Sequence, residues 1–336
     1  MSNSVKQRNY CLDFVKLVAC IFIVLRHCIV LGDAGEIMVT LTRCFVPFFF
    51  IVSGYYCFRG EGVSEKSLKP KITHIAKITF WTCLLYVIVT AFFVLVFNER
   101  SDTALAEVPV KLLKLVLLNH PFFIPELVWF LFATLYVYFV YALVKKFNLY
   151  KLAYILIPVF FCVFIFLTRG LELFDIVIPN YYYRNFLIEA FPFFMFGHLV
   201  HRYEHKIRIP SWVLWLILVT SSVLVFFEAR VLGTEFDLNV MSFVQAIAIF
   251  LLAVKHRNFG KGVLSDLGRD LSMYVYIFHI VVRRVVFMAY SILGLSLDVE
   301  INRRFVPLLV IVGALIVSFV WFHLVKFVGN KIKKKN

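Results

Sequence analysis

Long apolar stretches alternate along the chain with short polar ones that carry most of the charge. A helix of about 20 apolar residues crosses the hydrocarbon core of a bilayer, and on that measure the chain holds about ten spans. They fall at 11–31, 43–58, 75–97, 127–144, 151–168, 186–200, 211–228, 240–254, 271–291 and 304–327. The pattern predicts an all-α fold, a polytopic transmembrane helical bundle, with residues 1–336 as a single membrane domain. The stretches at 43–58 and 186–200 are short, so these spans are expected to be less tilted, broken or partly re-entrant.

Charge orients the spans. Lys and Arg favour cytoplasmic segments. With the N-terminus inside, the inner segments carry Lys6, Arg8, Lys66, Lys69, Lys71, Lys145, Lys146, Arg202, Lys206, Lys255, Arg257 and Lys331, among others. The outer loops carry mainly acids, such as Asp33, Glu36, Asp102, Glu172, Asp237 and Glu300. Both termini are therefore expected to be cytoplasmic. Hydrophobic residues make up 62% of the chain and charged ones 16%, against roughly 45–50% and about 25% in soluble domains, which argues for a protein whose solvent is the lipid bilayer. The net charge of +15 follows from the inner-loop bias and suits anionic headgroups, so it calls for no nucleic acid. The seven cysteines are odd in number and hold no C-x-x-C pair; they read as buried apolar residues, and no metal site is expected.

The first span, "CLDFVKLVACIFIVLRHCIV", carries Asp13, Lys16, Arg26 and His27. An Asp, Lys or Arg at the centre of a membrane helix costs at least about 2.5 kcal/mol. At about 100° and 1.5 Å per residue, Asp13, Lys16, Cys20 and His27 share an arc of roughly 60°. That face should point into the protein or into a water-filled cavity. Asp13 and Lys16, three apart, can pair near the cytoplasmic end. His27 lies about 20 Å above Asp13, towards the outer side. Arg26 points elsewhere and suits the outer headgroups. Histidine is the side chain suited to proton transfer near neutral pH, although a membrane histidine also serves in hydrogen-bonded packing.

The second span, "RCFVPFFFIVSGYYCF", has Arg43 near its outer end, Pro47 inside it and a Ser53-Gly54 pair further on. Such residues break or loosen a helix where it is covered by protein or lines a cavity; the small pair equally permits close helix packing. On the ninth span His279 and Arg283 share a face, as a cavity wall or as a buried pair. Glu126 suits either an acceptor site or the start of a helix. Trp129 suits either stacking on a sugar or an interfacial anchor. His198, His201 and His205, with Arg202 and Lys206 between them, are expected to form a basic interfacial surface rather than a metal site.

Together, D-x2-K-x10-H and R-x3-PFFFIVSGYY resemble the opening of the acyltransferase-3 family of integral-membrane O-acyltransferases. The family commonly has an Asp, three residues later an Arg, eleven residues later a His, and then P-x-F-F-x-x-S-G. Asp13, Lys16, His27, Pro47, Phe49, Phe50, Ser53 and Gly54 occupy those places, with Lys16 where Arg is commoner. The stretches from Glu126, from Phe191 and from Leu271 are similar to later family segments, and His279 matches a family His. The second span is also similar to the membrane half of vancomycin-resistance-type membrane serine racemases.

The resemblance implies transfer of an acyl group, usually acetyl from acetyl-CoA, to a hydroxyl of an envelope carbohydrate or glycolipid precursor. The donor is then a substrate, and no permanently bound cofactor is expected. The implied place is the bacterial cytoplasmic membrane. The implied catalytic residues are His27 as general base with Lys16 and Asp13. Arg43, Ser53, Glu126, Trp129, His279 and Arg283 are the candidate substrate-binding residues. A transporter or flippase of a small polar substrate, without covalent chemistry, is the alternative that the intramembrane charges leave open.

Overall fold

A computed structural model describes residues 8–28, 32–58, 68–97, 108–121, 126–232, 239–296 and 299–333. These residues form twelve α-helices and no strand. The helices are α1 (Tyr10–Arg26), α2 (Gly32–Thr42), α3 (Phe45–Tyr55), α4 (Lys69–Phe97), α5 (Val108–Leu118) and α6 (Trp129–Lys146), then α7 (Tyr150–Ile165), α8 (Phe191–Tyr203), α9 (Ser211–Leu232), α10 (Val240–Lys255), α11 (Val263–Ile292) and α12 (Glu300–Lys333).

Seven helical stretches among the described residues are long and apolar enough to cross a membrane. They are Ile37–Tyr55, Lys69–Val96, Trp129–Lys146, Tyr150–Phe174, Ser211–Val231, Val263–Ile292 and Arg304–Lys331. The other three stretches expected to span fall on shorter helices. α1 has 17 residues and α10 has 16. α8 has 13 and is preceded by a π-helical turn, Phe186–Ala190, capped by the Asn185 side chain, which accepts from the N–H groups of Leu187 and Ile188. Helix α5 lies where the apolar pattern leaves a loop.

α1 is shorter than its apolar run. It ends at Arg26, with His27 as the C-cap residue, whose N–H donates to the Ile23 and Val24 carbonyls. Residues 29–31 lie outside the described residues.

The helices form two compact units. The first comprises Met1–Phe45, Ile209–Thr234 and Met241–Asn336. Its α1 packs along α11, which also packs on α12. The start of α1 is tied down twice. Asn9 caps it by accepting from Leu12 N–H, and the Asn9 amide donates to Ala253 O. The N–H groups of Tyr10 and Cys11, which have no partner within the helix, donate to Arg257 O.

The second unit comprises Val46–Arg208 and Glu235–Val240. Here α3 meets α8 with backbone almost on backbone. A Cβ on Gly54 would stand 1.8 Å from Phe194 O, and one on Gly197 would stand 1.9 Å from Ile51 O. Only glycine fits such a crossing. The long helices turn much apolar surface outward, as α4 does with Phe80, Trp81, Leu95 and Val96 exposed. Lipid tails are a matching solvent for such a surface.

Candidate active site

The α1–α11 pair organises the polar residues of the first unit. Asp13 approaches the start of α11, Cys20 Sγ donates to Ser272 O at 3.2 Å, and the His27 ring lies beside that of His279. The partners of Cys20 and His27 lie the same number of residues ahead, so α1 and α11 run parallel and stay in register. Gly268 makes the approach possible, since a Cβ there would fall 1.9 Å from Asp13 O.

At the start of the pair, Asp13 is 4% exposed. A bare carboxylate at that depth is costly, and two cations offset the cost. Arg8 Nε donates to Asp13 Oδ2 at 2.7 Å and Lys16 Nζ to Oδ1 at 3.0 Å. Arg8 then continues to α11, donating to Asp266 Oδ1 at 2.6 Å and to Ser265 O at 3.0 Å. The expected Asp13–Lys16 pair is present. Arg8, taken from the sequence only as an inner-loop charge, is the third member. Its long reach along the chain, to Asp266, is not visible from local spacing.

About 20 Å from Asp13 along α1, by helical rise, His27 is partly exposed and its ring centroid lies 5.3 Å from that of His279, with planes tilted by 38°. His279 is fully buried. Its Nδ1 lies 2.8 Å from Tyr276 O and 3.1 Å from Val275 O. A carbonyl only accepts, so the ring proton sits on Nδ1 and Nε2 keeps a lone pair. That Nε2 is buried without a hydrogen-bond partner among the described residues. Arg283, one turn on, places its guanidinium carbon 5.2 Å from the centre of the Phe287 ring. Arg43 sits in the turn between α2 and α3 and is 5% exposed.

The remaining candidates belong to the second unit. Ser53 donates to Phe49 O at 2.8 Å, one turn back on its own helix, as a packed membrane serine does. Trp129 is buried at the first turn of α6. The Arg184 guanidinium carbon stands over its ring at 5.3 Å, and Phe50 packs against it at 5.9 Å. One face of the indole is therefore taken by a cation–π contact. Glu126 opens a short 3-10 turn, Glu126–Val128, ahead of α6, and its side chain lies outside the described residues.

The histidines of α8 and its end correct the surface reading in part. His198 is 1% exposed, with Nε2 3.0 Å from the Tyr141 hydroxyl and Nδ1 2.8 Å from that of Tyr154. Tyr150 stacks on it at 5.4 Å. Its spacing from His201 suggested a shared basic face, but three tyrosines from α6 and α7 enclose it. His205 is exposed, as a surface residue should be.

Residues 9–323 match the acyltransferase-3 family, described as an acyltransferase domain. No curated protein and no solved structure matches the chain. The match covers both ends of the α1–α11 pair and nearly the whole sequence, and the chain belongs to the acyltransferase-3 family of membrane acyltransferases.

Proposed function

We propose that the protein moves an acyl group, acetyl in the first instance, from acyl-CoA to a hydroxyl of an envelope carbohydrate or its lipid-linked precursor, with His27 as general base. The observation that carries this reading is the placement of His27: a partly exposed imidazole ending a polar helix face, beside a second, buried imidazole. In the reaction the acceptor oxygen attacks the thioester carbonyl. A C–O bond forms, the C–S bond breaks, and the hydroxyl proton passes through His27 to the departing thiolate. A positioned base of this kind supplies about 10²–10⁴-fold in rate.

The Asp13 network supports a donor end. Lys16 and Arg8 are partly exposed cations bonded to one buried carboxylate, and their open faces are assigned to the phosphates of CoA. Arg43 and Arg283, which belong to the same unit as His27, are assigned to acceptor or transition-state contacts. The reading places ten spans in the bacterial cytoplasmic membrane with both termini inside. Parallel packing of α1 and α11 supports the count: if both cross the bilayer, an odd number of spans must separate them, and the sequence pattern puts seven there.

Membrane vesicles holding the protein, given radiolabelled acetyl-CoA, test the function. Label should enter the carbohydrate or glycolipid fraction and depend on the protein. Uptake or flipping of a saccharide with no acyl donor, and no label transferred, would replace this reading with the transporter.

A further inference from the structure

His27 is the C-cap residue of α1, with its ring beside that of His279. A general base needs one nitrogen aimed at the proton it takes, and active-site bases are commonly aimed by a third group. The first unit holds such a group. His279 is enclosed, its Nδ1 is anchored on the Tyr276 and Val275 carbonyls, and its Nε2 lone pair is buried and unused beside His27. An acceptor left unpaired inside a protein carries its full desolvation cost, which a partner in a working state would relieve.

We infer that His279 is a positioning residue for His27: its Nε2 accepts a hydrogen bond from a His27 ring N–H, which sets the His27 tautomer and turns the other nitrogen towards the acceptor hydroxyl. The direction of the chain is fixed at its buried end. The main-chain carbonyls accept from His279 Nδ1–H, so His279 Nε2 can only accept, and the facing His27 nitrogen must donate. The second His27 nitrogen is left with a lone pair. When it takes the hydroxyl proton, His27 becomes an imidazolium that still donates to Nε2, and the proton goes on to the thiolate. His279 itself stays neutral.

This inference rests on His27 being the base, and the variants separate the two claims. The informative change is His279→Asn, because the Asn amide can donate to the same carbonyls while offering no acceptor at the Nε2 position. Acetyl transfer into the envelope fraction is followed at varied acetyl-CoA, beside wild type and His27→Ala. His279→Asn should lower kcat by about 10²-fold, by analogy with other aimed bases, with KM for acetyl-CoA unchanged. Wild-type kcat in His279→Asn with an inactive His27→Ala overturns the role of His279 and keeps the base. An active His27→Ala overturns the base and this inference with it. Nitrogen NMR of the wild-type protein, labelled at histidine, tests the tautomer without any variant: His279 should carry its proton on Nδ1, and a proton on Nε2 would contradict the proposal.

Discussion

At the residue scale, the proposed chemistry rests on one carboxylate and two imidazoles. Asp13 is buried because Arg8 and Lys16 neutralise it, and both cations keep part of their surface open. Asp13→Asn should weaken two charge-assisted hydrogen bonds and lower stability by about 2 kcal/mol after allowing for solvent screening. Thermal unfolding of the purified protein in detergent measures it, and an unchanged midpoint would contradict the bridging role. Lys16→Ala should raise KM for acetyl-CoA about tenfold, the worth of about 1.4 kcal/mol, with a smaller change in kcat. An unchanged KM would remove Lys16 from the donor end. The sequence shows these residues through cost: charged groups in an apolar run need a reason. It does not show what meets them. Arg8 finds Asp266 and His27 finds His279 only through the parallel packing of helices far apart in the chain. His198 is the reverse case, since its spacing promised a surface and three tyrosines bury it.

At the element scale, glycines set the distances at which helices meet. Gly268 brings α11 onto the Asp13 carbonyl, and the same two helices hold His27 beside His279. Gly268→Ala should force them apart, costing about 1–3 kcal/mol in stability and lowering acetyl transfer with it. An unfolding midpoint equal to wild type would mean that the pair accommodates the methyl group. In the second unit, Gly54→Ala and Gly197→Ala each drive a Cβ against a backbone carbonyl. Either should reduce the yield of monodisperse protein in size-exclusion chromatography, and full recovery of both would contradict the close crossing. Most helices follow the apolar pattern, because lipid contact demands it. Where the pattern and the helices differ, backbone geometry decides: α1 stops at Arg26 while the apolar run continues, and α8 starts behind a π-helical turn capped by Asn185.

At the scale of the whole molecule, the long helices expose apolar sides, as at Phe80, Trp81 and Leu95 of α4, which suits a surrounding bilayer. The charge pattern predicts a definite topology. Reporters fused to either terminus should both report the cytoplasm, and an outer signal from one of them would change the span count by an odd number. On the proposed topology the Asp13 network would lie at the cytoplasmic end and His27 towards the outer side, and the first helix would link a donor on one side to an acceptor on the other. The central claim is that His27 removes the acceptor proton during acyl transfer. Its most direct test is acetyl incorporation from radiolabelled acetyl-CoA into the envelope fraction of membranes holding equal amounts of wild type and His27→Ala. The account predicts a fall of at least about 10²-fold in the variant. Incorporation at the wild-type rate by folded His27→Ala would contradict it.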